Sequence, residues 1–168
     1  SSGAGLAVNT RNSIISDVSV VATIEDLNEF GGGNYLGGLV ANTMDTTLER
    51  VSFEGELISN AAWSSGGIVG MSYRETTVRD ALVINSQISG NFSAGGIFGD
   101  SYETVTVERA FFSGTLNATY NTDPIIGDSY SLRDEFFVSS SYWDVEVSGI
   151  SNSDFGEGRT TLELQCPT

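Results

Sequence analysis

Four stretches of the chain share one pattern of apolar and polar positions: Ile15-Ser16-Asp17-Val18-Ser19-Val20, Leu48-Glu49-Arg50-Val51-Ser52-Phe53, Val78-Arg79-Asp80-Ala81-Leu82-Val83 and Val107-Glu108-Arg109-Ala110-Phe111-Phe112. The first, fourth and sixth positions are apolar in all four. The last three stretches follow a glycine phrase: Gly37-Gly38-Leu39-Val40-Ala41, Gly66-Gly67-Ile68-Val69-Gly70 and Gly95-Gly96-Ile97-Phe98-Gly99. The phrase returns degraded as Asp123-Pro124-Ile125-Ile126-Gly127, and Ala4-Gly5-Leu6-Ala7-Val8-Asn9-Thr10 aligns with Gly37-Gly38-Leu39-Val40-Ala41-Asn42-Thr43. Gly38, Gly67 and Gly96 follow one another at 29 residues, and Gly127 follows Gly99 at 28. A fixed period of this size marks a solenoid, because one repeat cannot bury its apolar face without a neighbour.

The pattern predicts an all-β fold, a right-handed parallel β-solenoid (β-helix) of about five coils with a 28–33 residue period. The coils fall at about 1–33, 34–62, 63–91, 92–119 and 120–149, all in one domain, with 150–168 as a C-terminal cap or connector. Four extra residues in the first coil lie in the polar, glycine-rich stretch Glu25 to Asn34, which reads as a longer loop. Pro124 cannot donate to a ladder and belongs at a turn or strand start. Arg159 to Gln165 reads as a final strand, a short helix or a connector.

Stacking the coils turns sequence into columns. One column reads Asp17, Arg50, Asp80, Arg109 and its neighbour Ser16, Glu49, Arg79, Glu108, with signs alternating in both. Like charges one strand spacing apart repel, so the alternation fits a structural ladder better than a catalytic acid with an arginine. A second column reads Met44, Tyr73, Tyr102, Tyr130. Stacked aromatics are packing elements first; an exposed Tyr73, Tyr102, Tyr130 face is also a candidate glycan surface. Asp100 and Asp128 stack in adjacent coils and form a candidate calcium site, although no calcium loop of recognised spacing is present. No other cofactor is expected. Threonine rows (Ser13, Thr46, Thr76 and Thr47, Thr77, Thr106) suit β-structure; Ile14 and Val105 interrupt them, which weakens an ice-binding reading.

Charge narrows the partners. Of the chain's ionic side chains 22 are acidic and 7 are arginines; there is no lysine or histidine, and the net charge is −15. Such a surface repels nucleic acid and anionic lipid. No apolar run is long enough to span a bilayer. Ser1-Ser2-Gly3 lacks the features of a signal peptide, which reads as a mature product or an excised piece. Cys166 has no partner thiol within the chain. Asn91-Phe92-Ser93 and Asn117-Ala118-Thr119 are sequons, which makes Asn91 and Asn117 candidate glycosylation sites.

The Gly-Gly-[Ile/Leu]-[Val/Phe]-Gly phrase, with its apolar-polar strand a dozen residues on, resembles the GLUG-motif repeats of bacterial and archaeal surface proteins and adhesins. Ser141-Tyr142-Trp143-Asp144-Val145-Glu146-Val147-Ser148-Gly149, with Gly158 to Gln165, is similar to the segment that often closes such arrays. The resemblance covers nearly the whole chain; Asp123-Pro124 and Ala41 depart from it. It implies an exported β-solenoid, a stalk or passenger module with no active site to carry over.

The expectation is a non-catalytic extracellular or cell-surface module, a stiff rod that is adhesive or self-assembles end to end into a filament. A carbohydrate-binding protein is the alternative, with the tyrosine row as its face. A polysaccharide-cleaving β-helix enzyme is the alternative from another class, disfavoured because acids and arginines repeat as columns rather than converging in one cleft.

Overall fold

The computed structural model describes residues 2–26, 33–129 and 135–165. Tyr130 and Cys166, and most of the predicted loop between Glu25 and Asn34, lie outside the described residues. The chain is a parallel β-solenoid of about four turns. Its elements in order are β1 (Gly3–Ala4), β2 (Ala7–Asp26), β3 (Tyr35–Gly37), β4 (Val40–Ser59), β5 (Ser64–Gly66), β6 (Val69–Ser72), β7 (Thr76–Ser89), β8 (Ser93–Gly95), β9 (Phe98–Ser101), β10 (Val105–Asn117), β11 (Asn121–Asp123), β12 (Ile126–Ser129), β13 (Phe136–Ser139), β14 (Tyr142–Asp144), α1 (Val145–Ser148), β15 (Glu157–Arg159) and α2 (Thr161–Gln165). A narrow sheet runs β1-β3-β5-β8-β11. The larger one runs β12-β9-β6-β4-β7-β10-β14-β15, with β2 added on β4 and β13 on β10. The sequence predicts about five coils. The fifth winding supplies β11 to β14 and is then diverted at Asp144, whose carboxylate caps α1 by accepting from the Glu146 and Val147 amides, as acidic N-caps do.

The glycine phrase makes an arch in which β5 and β6, β8 and β9, and β11 and β12 fold back on each other. Inside it the two sheets meet backbone against backbone. A methyl group on Gly66 would overlap the Val69 carbonyl oxygen, and one on Gly70 would stand 2.6 Å from the Leu36 oxygen. The second glycine meets backbone too, that of the next coil: a Cβ on Gly38, Gly67 or Gly96 would overlap the carbonyl oxygen of Gly67, Gly96 or Pro124, and would also press on Phe53, Val83 or Phe112.

Beyond the arch the coil widens around the core. Leu48 pairs with Val78, Val78 with Val107 and Val107 with Val138; Phe53, Val83, Phe112 and Trp143 make the next inward column. Phe53, Val83 and Phe112 are fully buried, and burying such a side chain contributes about 1.5–3 kcal/mol. Val83 stands as the smaller residue between Phe53 and Phe112, and Trp143 follows Phe112 at the end of the column.

The apolar positions one, four and six explain the bend. Ile15 faces in and Ser16 out, but Asp17 adopts left-handed backbone at φ 59° and turns the chain, so that Val18 faces in again. Arg50 (53°), Asp80 (52°), Arg109 (53°) and Ser140 (48°) repeat the corner in every later coil.

Candidate functional site

The corner carries the alternating charges. Arg50 donates to Asp17 through Nε at 2.7 Å and Nη2 at 2.9 Å; Arg109 donates to Asp80 at 2.6 and 3.0 Å. Each arginine reaches back one coil and grips the aspartate with a two-pronged bond. These bonds hold the Asp17 and Asp80 carboxyls below the usual carboxylate range. In the neighbouring column Ser16, Glu49, Arg79 and Glu108 stand in register, Arg79 lies 3.0 Å from Glu108, and Glu49 binds Arg50 at 2.9 Å. The sequence reading treats both columns as strand positions; the structure puts the first at a corner. The arginines and carboxylates of both columns are thus engaged in ion pairs with one another.

Tyr73 and Tyr102 stack with ring centres 5.8 Å apart and planes 10° from parallel. Tyr35 meets Tyr73 edge-on at 6.1 Å; burial, and after it the hydrogen bond with Tyr73, raises the Tyr35 phenol above its ordinary range. Rings stacked face to face turn their edges outward, which is the wrong side for a sugar's apolar face.

A second aromatic row was missed by the sequence reading. Trp63 stacks on Phe92 at 4.7 Å and 10°, and Phe92 on Tyr120 at 4.9 Å and 34°. Its signal is the glycine period itself, since these residues stand just ahead of β5, β8 and β11. Tyr120 ends the row and is 70% exposed.

Asp100 and Asp128 are paired in register, as are Met71 and Asp100. Asp100 is fully buried and accepts from the Ser101 amide at 2.7 Å; Asp128 is half-buried and accepts from the Ser129 amide at 2.8 Å. Among the described residues no three carboxylate, thiol or imidazole groups gather closely enough to hold a metal ion. Asn91 and Asn117 are exposed, one ahead of β8 and one at the end of β10. The threonine rows separate: Thr46 and Thr76 are buried, and Thr76 bonds to Thr43 at 2.9 Å, whereas Thr47, Thr77 and Thr106 lie two positions from the charged column, on the same side of the strands.

The arch ends in a way the degraded phrase foreshadows. In each coil the turn amides donate to the next coil: Gly38 to Gly66, Leu39 and Val40 to Ile68, Gly67 to Gly95, Ile68 and Val69 to Ile97, Gly96 to Asp123, Ile97 and Phe98 to Ile125. At the last arch, proline occupies the position of Gly96 and has no N–H. The Ile125 and Ile126 amides donate instead to Asp123 Oδ1, at 2.7 and 3.0 Å. Asp123 Oδ2 accepts from Ser153 Oγ, which ties the segment before β15 to the arch. Burial raises the Asp123 carboxyl despite these three donors.

Beside this closed edge lies a cavity of about 450 Å³ lined by β11, β12, Tyr120, Asp154 and Phe155. Among the described residues no helix is long and apolar enough to cross a membrane. Comparison with protein-family models, curated proteins and solved structures finds no match.

Proposed function

We propose that this chain is a non-catalytic structural and adhesive module, a stiff rod that works outside the cell or at its surface. One observation carries the reading: glycine arch, corner ion pairs and aromatic rows run coil after coil along the stack rather than converging on one point. Repetition of this kind builds a spring-like bar whose coils each depend on their neighbours. The likeness to GLUG arrays points the same way.

The two ends differ. Among the described residues the outer edges of β2 at one end and of β11, β12 and β13 at the other have no strand paired to them; Leu6, Val8, Ile14 and Val21 are exposed at the β2 end. At the other end Asp123 and Pro124 close the arch, and α1 lies against β10. End-to-end contacts through strand pairing therefore use the β2 end, and a filament built from arch edges at both ends is disfavoured.

Force spectroscopy between the termini tests the rod. Coil-by-coil unwinding is expected, in steps of about 10 nm for a period of about 29 residues at 3.3–3.6 Å each. Extension at negligible force would sink the structural reading. Release of new reducing ends from a polysaccharide would sink the non-catalytic one.

A further inference from the structure

We propose that the cavity beside Tyr120 is a saccharide subsite that takes a pyranose ring, most tightly one bearing a free amine. The site lies where the second aromatic row and the Asp100–Asp128 column end, and its ligand chemistry does not depend on the rod reading. Tyr120 is the last ring of its row: Phe92 covers one face, the side chain is 70% exposed, and the residue lines the cavity. A phenol face of this kind packs against the apolar C–H face of a sugar, which the mutually stacked Tyr73 and Tyr102 offer less readily.

The space is kept open by the way the arch ends. A further coil would fill it, but Pro124 lacks one amide donor and Asp123 engages the next two, so strand addition at β12 finds no turn donors. The opposite wall is held by the Ser153–Asp123 bond and by Phe155, whose ring meets Phe136 edge-on at 5.1 Å. The volume, about 450 Å³, is within the range of small-ligand pockets.

The lining sets the ligand class. Asn121, Asp128 and Asp154 supply an amide and two carboxylates, and among the described residues no arginine lines the cavity. Hydroxyls and ammonium groups donate to such a lining, while uronate, sulfate and phosphate are repelled by it and by the chain's net charge of −15. An ammonium beside the Tyr120 ring gains a cation–π contribution as well. Asp123 has both oxygens engaged by the protein, by two amides and a serine. It is a positioning residue, and the site is one for binding rather than cleavage.

The test is NMR titration of the intact chain in physiological salt with four tetrasaccharides: those of glucosamine, N-acetylglucosamine, glucose and galacturonic acid. The glucosamine tetramer is expected to bind in the millimolar range or tighter, roughly −4 kcal/mol or better, the two neutral tetramers more weakly and the galacturonate tetramer not at all. Amide shifts are expected at residues 120–122 and 154. Tyr120→Ala should weaken binding at least about tenfold, the size of a lost aromatic platform, whereas Tyr73→Ala should leave it unchanged. Asp154→Asn should narrow the gap between amine-bearing and neutral sugars. Cationic sugar held only by net charge would bind Tyr120→Ala as well as the parent, and that result overturns the proposal. So does an absence of binding to all four at about 10 mM, or tighter binding of the galacturonate tetramer.

Discussion

Asp123 stands where the other arches have the first glycine of the phrase, and its side chain does the work of a missing coil. Replacing it with alanine strands the Ile125 and Ile126 amides, a loss of about 1–3 kcal/mol, which urea titration would register. Hydrogen exchange gives the site-specific check: both amides should be protected in the parent despite their edge position and exchange freely in Asp123→Ala. Asp123→Asn keeps the oxygen acceptor and sheds the buried charge. Because burial raises this carboxyl, its favourable contribution is present below the unfolded pKa and is lost as pH rises through the folded one. The stability of Asp123→Asn relative to the parent should therefore improve between pH 3 and pH 7. Asp17 and Asp80 behave in the opposite sense. Their depressed carboxyls contribute above the ordinary carboxylate range, and that contribution disappears as pH falls through the folded values. Glycine 66 is a harsher position, since a methyl group meets backbone rather than a side chain that can swing away. Gly66→Ala should abolish the cooperative transition, whereas Gly149→Ala, at φ 71° in open space, should cost about 1 kcal/mol.

At the scale of the element, the corner shows what was legible and what was not. The apolar positions one, four and six broke strict alternation at Asp17, Arg50, Asp80 and Arg109, and that break is the bend. Side chains at these positions were readable as a charge ladder; their left-handed backbone was not, because arginine does not announce it and the aspartates that do, Asp17 and Asp80, alternate with arginine in the column. The arginines hold a strained corner through their grip on the preceding coil. Arg109→Gly relieves the backbone but removes the clamp on Asp80, so salt should decide the outcome. In low salt the melting temperature of Arg109→Gly should lie at or below the parent's, and at about 1 M salt, where the Debye length is about 3 Å, it should rise above it. The second aromatic row was hidden for another reason. Trp63, Phe92 and Tyr120 share no residue type, and a column of three different rings is visible only once the glycine period is applied to every position.

For the whole molecule, period and parallel architecture were readable because stacking forces chemically matched residues to recur at one spacing. The turn count was less so: about four turns stand where five coils are expected, since helix capping by Asp144 depends on where the chain leaves the stack. The asymmetry between the ends gives a prediction about assembly. If copies associate through coil ends, a charge on β2's outer positions, as in Ile14→Lys with Val21→Lys, should abolish the association, and no species larger than a pair should appear by light scattering. Particles that lengthen with concentration would show that the arch end is not closed.

The forward-pointing amides of the arch have an electrostatic consequence. Peptide groups in the glycine turns align toward the last coil, while those just ahead of β8 and β11 point the other way, so the dipoles of the glycine column add among themselves, with the positive end at the last arch. Asp123 places a carboxylate on that end. The solenoid thus has a polarity, and its coils are not interchangeable bricks. Moved to an inner position, the 120–129 segment would interrupt the column of aligned peptides; moved to the front, it would leave the positive end bare. Coil order is as much a part of this fold as coil content.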